Sequence, residues 1–216
     1  MRRTNRYDTY SMIEDQYEPG TRKRILKNIT GIRRKKELEA LETSELLRTT
    51  NQLIQTYDRR HRFTAEDICG IHKLWLGSIY VWAGRYRQVM ISKGGFPFAP
   101  PDQIPRLMNE LEREILKPFT PCVFKDRDKI IQALAVVHTE LLIIHPFREG
   151  NGRLARLLAN LMGLQADLPS LDFSGIRGKR REAYFAAVRS GMARNYAPME
   201  DIFTYVFSRS LKSSAV

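Results

Sequence analysis

The stretch IIQALAVVHTELLIIHPFREGNGRLAR, residues 130–156, carries the strongest structural signal in the chain. In its first half, apolar side chains recur at steps of four and three, the spacing of a helix that is buried along one stripe. Those side chains are Ile130, Leu134, Val137, Leu141 and Ile144. Pro146 disfavours helical backbone at the residue before it, so the helix should end near His145. The pattern therefore predicts a central helix over 126–144 that places an imidazole at the start of a loop.

The second half of the stretch predicts an anion-binding loop. Gly150, Asn151 and Gly152 lead directly into a further helix over 152–162. Glycines let the backbone approach a ligand closely, and the free amides at the start of a helix attract anions. A phosphate group is therefore the expected ligand of this loop.

Two arginines and one carboxylate make that ligand more specific. Arg153 and Arg156 lie three positions apart, so their guanidinium groups would point the same way and could grip phosphate oxygens. Glu149, the single carboxylate beside them, suits a Mg²⁺ ion that is shared between the protein and nucleotide phosphates. Together with the histidine and the glycines, these residues indicate phosphate-transfer chemistry.

Helical patterning covers most of the remaining chain. The predicted segments are 35–57, one beginning at the capping residue Thr64, 102–116, 179–194 and 199–210. A chain of 216 residues is long enough for one substantial core. We therefore expect an all-α fold with one small β-hairpin, formed by a domain over 34–216 that follows an irregular basic arm over 1–33.

The hairpin is predicted over residues 86–99. Apolar side chains alternate there around Gly94 and Gly95, which is the signal of a two-residue hairpin turn. Pro97 has no amide hydrogen to give to a ladder, so the hairpin should be exposed and incompletely paired.

The chain is strongly basic, with a formal net charge of +12. Residues 1–36 hold eleven Lys/Arg and four Asp/Glu, a local balance of +7. Such a run can be a footprint for nucleic acid or for an acidic partner. It is more often a solvated surface, and neither interleaved aromatic residues nor a nucleic-acid module accompanies it. Nucleic acid is therefore not the expected partner.

Composition places the protein among ordinary folded proteins, with 43% hydrophobic and 28% charged residues. No signal peptide or membrane span is visible. Cys69 and Cys122 lack the spacing of a zinc site and are expected to be buried free thiols. A cytoplasmic location is expected, with secretion as an effector left open.

Residues 145–156 match the signature His-x-Phe-x-Asp/Glu-Gly-Asn-Gly-Arg-x-x-Arg at every position, so the chain resembles the Fic family. The resemblance extends to Ile71 and His72, to YVWAGRYR over 80–87 and to ISKGG over 91–95, and covers about residues 20–205. It implies a Fic-like helical core and an adenylyltransferase, which moves AMP from ATP onto a Ser, Thr or Tyr hydroxyl of a target protein and releases pyrophosphate.

The resemblance also implies a role for each signature residue. His145 would be the general base for the target hydroxyl, which suits a side chain that titrates near neutrality when unperturbed. Glu149 would hold Mg²⁺ against the α- and β-phosphates. The phosphate oxygens would be bound by Gly150, Asn151, Gly152, Arg153 and Arg156, the two arginines serving the β- and γ-phosphates.

Other residues are assigned by the same comparison. The hairpin resembles the family's flap, which holds the backbone of the target by adding a strand. Its expected docking residues are Ile91, Ser92, Lys93, Gly94, Gly95 and Phe96. Phe147 is expected to anchor the loop by packing, and His72 and His138 are expected to be structural.

One departure from the family concerns regulation. Many relatives inhibit themselves with a helix carrying Ser/Thr-x-x-x-Glu-Gly/Asn, whose glutamate pairs with the second signature arginine. Here the only Glu followed by Gly or Asn is Glu149, and the residue four positions before it is His145. We therefore expect an inhibitory helix from a separate small partner, as in the toxin and antitoxin pairs of the family.

Two alternative functions remain open from the sequence. A kinase-like group transferase could use the same scaffold, although kinase-like relatives replace the Gly-Asn-Gly-Arg segment. A basic module that binds nucleic acid or protein is the other alternative, and it predicts salt-sensitive binding that does not depend on His145.

Overall fold

The core of the protein is organised around α5 (Arg127–Ile144), in a computed structural model that describes residues 12–214. Asp126 caps this helix by accepting a hydrogen bond from the amide of Asp128. Three later helices, α6 (Asn151–Gln165), α7 (Lys179–Ser190) and α8 (Ala197–Ser214), all pack against it. Because it is covered on several sides, α5 buries more than the predicted single stripe, including Ala133 and Val136.

The order of elements confirms the all-α prediction. The helices are α1 (Lys35–Thr56), α2 (Ala65–Leu76), α3 (Ile104–Glu110), α4 (Lys117–Phe119), α5, α6 (Asn151–Gln165), α7 (Lys179–Ser190) and α8 (Ala197–Ser214). A π-helical segment, Leu111–Leu116, joins α3 to α4, so the helix predicted over 102–116 is divided into segments of different pitch. No helix among residues 12–214 is long and apolar enough to cross a membrane.

Helix α2 begins where its sequence predicts, at Thr64. The Thr64 hydroxyl accepts a hydrogen bond from the amide of Asp67 at 3.0 Å, and the Asp67 carboxylate accepts one from the amide of Thr64 at 2.9 Å. This capping box satisfies two amides that the helix itself leaves free. It fixes the start of the helix that carries His72 and Trp75 toward the loop between α5 and α6, residues 145–150, here called the motif loop.

The predicted hairpin is present as β1 (Ser92–Lys93) and β2 (Phe96–Pro97), which pair antiparallel. The turn residues Gly94 and Gly95 have φ of +57° and +79°, a conformation that two-residue hairpin turns require and that glycine adopts without strain. Ser92 lies opposite Pro97, and both are exposed. The hairpin therefore offers a free edge to solvent.

The described part of the predicted arm, residues 12–33, packs on the helical body, while residues 1–11 lie outside the described residues. Ile25 is buried, and the amide of Ile29 donates a hydrogen bond to the carbonyl of Ile79 at 2.8 Å. Glu14 is also buried, and its carboxylate accepts a hydrogen bond from the amide of Gln88. This segment is thus joined to the chain that leads into the hairpin.

Both cysteines are free thiols, with Cys122 buried and Cys69 only partly buried. Burial raises the pKa of the Cys122 thiol to about 12, and it also raises the pKa of Cys69. Neither thiol is therefore a reactive nucleophile near neutral pH.

Candidate active site

The site begins at His145, where α5 ends. The residue adopts left-handed backbone angles, φ 52° and ψ 58°, while its amide still donates to the carbonyl of Leu141. Its Nδ1 lies 3.1 Å from the carbonyl oxygen of Leu142, an acceptor that requires the proton on Nδ1. The other ring nitrogen, Nε2, then carries the lone pair that a general base needs.

The imidazole of His145 is held between the hairpin and the end of α5. The ring of Phe98 stacks on it, with the centroids 3.7 Å apart and the planes at 14°. Burial lowers the pKa of His145 to about 4. The imidazole is therefore neutral well below pH 7, in contrast to the near-neutral titration expected from the sequence.

Asn151 closes the motif loop through both ends of its carboxamide. Its Oδ1 accepts from the amide of Phe147 at 2.9 Å, and its Nδ2 donates to the carbonyl of the same residue at 2.7 Å. The side chain that was expected to cradle phosphate thus shapes the loop in this structure. Gly150 has φ +85° and a Cβ there would lie 2.9 Å from the Trp75 ring, so only glycine fits.

His72 supports the same loop from α2. Its Nδ1 accepts a hydrogen bond from the amide of Gly84 at 2.8 Å, so its Nε2 carries the proton that is donated to the carbonyl of Glu149 at 3.0 Å. Its ring also stacks on Phe147, with the centroids 3.9 Å apart. His72 was expected to be structural, and its contacts with Glu149 and Phe147 support the motif loop directly, which spacing in the sequence did not indicate.

The two signature arginines do not point the same way, in contrast to the prediction. The Arg153 guanidinium lies 2.7 Å from the buried carboxylate of Glu42 on α1 and stacks 4.7 Å over the Trp75 ring. Arg156 instead lines the cavity described below, and its buried Nε has no hydrogen-bond partner among the described residues. Two side chains three positions apart on a helix lie on adjacent faces, so they can take different directions. The buried Glu42 carboxylate attracts Arg153 toward α1, and Arg156 lines the cavity.

The cavity beside His145 has a volume of about 710 Å³ and lies between the hairpin, the start of α6 and α7. Its lining includes His145, Glu149, Asn151, Gly152 and Arg156 from the signature, and Lys93, Gly94 and Phe96 from the hairpin. Arg177, Arg181 and Arg189 add positive charge from the α7 side. The free amides at the start of α6 and the surrounding cations make this a cavity for a polyanion.

Glu149 is the signature carboxylate available to a cation. Its side chain is half-exposed, lines the cavity, accepts a hydrogen bond from the amide of Gly150 at 2.8 Å and lies 3.6 Å from the Arg153 guanidinium. Among residues 12–214, no group of three or more His, Cys, Asp or Glu side chains could hold a metal ion. Glu149 therefore fits a Mg²⁺ site only if phosphate oxygens supply further ligands to the ion.

The buried histidines predict a loss of stability in mild acid. Burial lowers the pKa of His72 to about 4 and that of His138 to about 3, below the value near 6.5 of an unfolded histidine. Between these values the unfolded chain binds more protons, so the free energy of unfolding falls as the pH falls. From pH 7 to pH 5.5 the loss should be about 1 kcal/mol for each buried histidine.

Urea unfolding at pH 7.0, 6.3 and 5.5 measures the slope of the free energy of unfolding against pH. Histidine NMR shifts of the folded protein identify which histidines titrate. Folded-state titration of the His72 and His138 rings near pH 6.5 would contradict the prediction. The slope should be preserved in 0.5 M salt, because it arises from burial rather than from surface charge.

The arrangement defines a class of protein, a helical scaffold with an anion-binding loop beside a neutral histidine. The model of the Fic/DOC family matches residues 62–163. The chain is 30% identical over 147 residues to the protein of Escherichia coli strain K12 named "Probable protein adenylyltransferase Fic", which covers 66% of this chain and 69% of that protein. The chain belongs to the Fic/DOC family.

Two further comparisons bear on the site. A protein of Nematostella vectensis named "Protein adenylyltransferase Fic" is 33% identical over 154 residues, 68% of this chain, although the match spans only 32% of that longer protein. The crystal structure of the N-terminal Fic domain of a VirB-translocated Bep effector from Bartonella quintana contains bound ADP. It superposes with a TM-score of 0.66 at 27% identity, over 84% of this chain and 89% of that one.

Proposed function

We propose that the protein is an adenylyltransferase, which transfers AMP from ATP to a Ser, Thr or Tyr hydroxyl of a target protein and releases pyrophosphate. The catalytic domain of this proposal is the segment 34–216. The names of the relatives and the ADP in the Bartonella quintana domain support a nucleotide as the ligand. The observation that carries the proposal is that His145, Gly152 and Arg156 line one basic cavity at the start of α6.

Each cavity residue has a place in the proposed reaction. The lone pair on Nε2 of His145 takes the proton from the target hydroxyl as its oxygen attacks the α-phosphorus. The amides at the start of α6, with Gly152 among them, and the Arg156 guanidinium bind the phosphate oxygens and stabilise the charge that develops on pyrophosphate. Arg153 contributes indirectly, because its pairing with Glu42 fixes the first turn of α6.

Glu149 is the residue proposed to hold Mg²⁺ together with the phosphates. The ion, when bound, neutralises phosphate charge and makes pyrophosphate a better leaving group. The hydrogen bond from the amide of Gly150 to this carboxylate keeps it at the entrance of the loop.

The hairpin is the proposed docking edge for the target. Its exposed strand β1 can pair with an extended target segment through main-chain hydrogen bonds, which holds many sequences equally well. Lys93, Gly94 and Phe96 line the same cavity as His145. A target segment paired with β1 would therefore lie next to the imidazole of His145.

The proposed regulator is a separate protein, and the proposed location is the cytoplasm. The absence of a Ser/Thr-x-x-x-Glu-Gly/Asn motif from these 216 residues supports inhibition by a separate antitoxin-like protein. The requirement for ATP and the free thiols suit the cytoplasm, of the producing cell or of a cell that receives the protein. Because the proposed inhibitor is a separate protein, the purified chain alone should be active.

The test is incubation of the purified chain with lysate, Mg²⁺ and ATP labelled at the α- or at the γ-phosphate. Protein should be labelled from α-labelled ATP only, with His145→Asn as the matched inactive control. Label from the γ position only would make the protein a kinase. If neither label is transferred but the chain binds a nucleic acid probe in a salt-sensitive manner, the protein is a binding module.

A further inference from the structure

The side chain of Arg87 joins the hairpin to the catalytic end of α5. It is fully buried, and its Nε donates to the carbonyl of His145 at 2.8 Å. Its Nη1 donates to Val89 at 2.7 Å, and its Nη2 donates to Ala99 at 2.6 Å and to Ile144 at 3.4 Å. Val89 and Ala99 flank the hairpin on its two sides, so one guanidinium holds both ends of the hairpin and the backbone of the proposed base.

The four acceptors are neutral carbonyl oxygens, so none of them carries a charge that balances the Arg87 guanidinium. Burial lowers the pKa of Arg87 to about 10, an effect that the nearby Glu14 carboxylate opposes. A buried charge of this kind destabilises a fold relative to a well-packed apolar residue, so stability alone does not explain it. The planar fork of donors, in contrast, fixes the relative positions of several carbonyl groups at once.

The hairpin and the base are also in contact directly. Phe98 follows β2 and stacks on the imidazole of His145, and its amide donates to the carbonyl of Ile91 at 3.2 Å across the hairpin. The amide of Arg87 itself donates to the carbonyl of Pro146 at 2.9 Å. Backbone and side-chain contacts thus connect both sides of the hairpin to residues 144–146.

We propose that Arg87 is a positioning residue that fixes the hairpin relative to the imidazole of His145. A target segment paired on the hairpin then presents its hydroxyl to Nε2 at a constant distance. The proposal rests on the proposed function, because it assumes that the hairpin docks the target and that His145 is the base. A displacement of about 1 Å between reacting groups can lower a rate by about 100-fold, which is the scale of the expected effect.

The experiment compares Arg87→Met and Arg87→Lys with the wild-type chain. Methionine keeps an unbranched apolar side chain and removes every donor, whereas lysine keeps the charge and some donors. Arg85→Met is the matched control, because Arg85 lies two residues away, is exposed and donates to the carbonyl of Val81 within its own turn. The readouts are AMP transfer to the labelled lysate target, the KM for ATP, and hydrogen exchange of the backbone.

For Arg87→Met we expect kcat to fall at least 10-fold while the KM for ATP changes less than threefold. Hydrogen exchange should increase in 88–99 and in 144–149 together and stay constant in α1 and α8. Arg87→Lys should recover part of both effects. Unchanged exchange in 144–149, or a loss of transfer that follows a general loss of stability, would overturn the proposal.

Phe98→Leu is the second variant, which tests the same coupling if Arg87→Met does not fold. It removes the ring that stacks on His145 and retains an apolar side chain, so kcat should fall severalfold at constant KM for ATP. An unchanged kcat in this variant would overturn the coupling between hairpin and base. If the wild-type chain transfers no AMP, the proposed function fails, while the exchange measurements still decide whether Arg87 couples the two segments.

Discussion

The His145→Asn variant should bind ATP with nearly wild-type affinity and transfer AMP about 10²- to 10⁴-fold more slowly, the usual contribution of general base catalysis. Asparagine tolerates the left-handed backbone that position 145 requires, so the loop should keep its shape. The amides at the start of α6 and the Arg156 guanidinium remain in place to bind phosphate. The loss should therefore appear in kcat and not in the KM for ATP.

The same residue sets the expected pH dependence of the wild-type rate. Because burial lowers the pKa of His145 to about 4, the base stays unprotonated down to about pH 5. The rate should show no acid limb near pH 6.5, the position expected for an exposed histidine. A limb at pH 6.5 that disappears in His145→Asn would show that the imidazole is solvated in the working enzyme.

A suitable control is His61→Gln, which replaces a histidine outside the cavity. His61 pairs with Asp67 at 2.9 Å beside the capping box of α2. Its replacement should leave AMP transfer within about twofold and lower stability by no more than about 1 kcal/mol, as for other partly exposed pairs. Equal losses of transfer in the two variants would indicate unfolding rather than loss of a base.

Replacing Glu42 by alanine should lower the free energy of unfolding by about 2–3 kcal/mol, because Tyr80 and Arg153 both lose a buried acceptor while the Arg153 side chain stays one-third exposed to water. The Glu42 carboxylate bonds Arg153 at 2.7 Å and accepts from the Tyr80 hydroxyl at 2.7 Å. The buried Tyr80 hydroxyl would lose its acceptor, and Arg153 would retain Glu149, 3.6 Å away, as its acidic partner. Glu42→Gln should lose less, because the amide oxygen can still accept from Tyr80.

Urea unfolding at pH 7 measures the Glu42 effect, with Glu45→Gln as the control one turn along α1. Glu45 pairs with Arg48, whose side chain is half exposed, so its replacement should change stability by less than about 1 kcal/mol. Equal effects at the two positions would contradict a buried network around Arg153. Glu42→Gln should also weaken ATP binding only slightly, because Arg153 does not line the cavity.

Some features of the site could be predicted because they depend on neighbours in the chain. The end of α5 at His145 follows from Pro146, and the start of α2 follows from Thr64 and Asp67 three residues later. The turn at Gly94 and Gly95 follows from the positive φ that a two-residue hairpin turn requires and that glycine adopts without strain. Local patterns therefore predicted the helices, the hairpin and the motif loop.

Other features depend on residues far apart in the chain. Glu42 is 111 positions from Arg153, and nothing around it distinguishes it from the solvated glutamates of α1. This buried carboxylate nevertheless pairs with Arg153, while Arg156 lines the cavity. Likewise, the pKa of His145 depends on burial beneath Phe98, which is 47 positions away, so its sequence neighbours predicted near-neutral titration instead.

Local sequence was sufficient for the fold class, the helix ends and the composition of the signature loop, because backbone conformation depends on interactions within a few residues. Packing alone decided which arginine faces the cavity, which ring nitrogen of His145 is free, and how Arg87 connects the hairpin to the base. The reason is physical: burial and hydrogen-bond partners determine charge state and side-chain direction, and both are set by segments that meet only when the chain is folded.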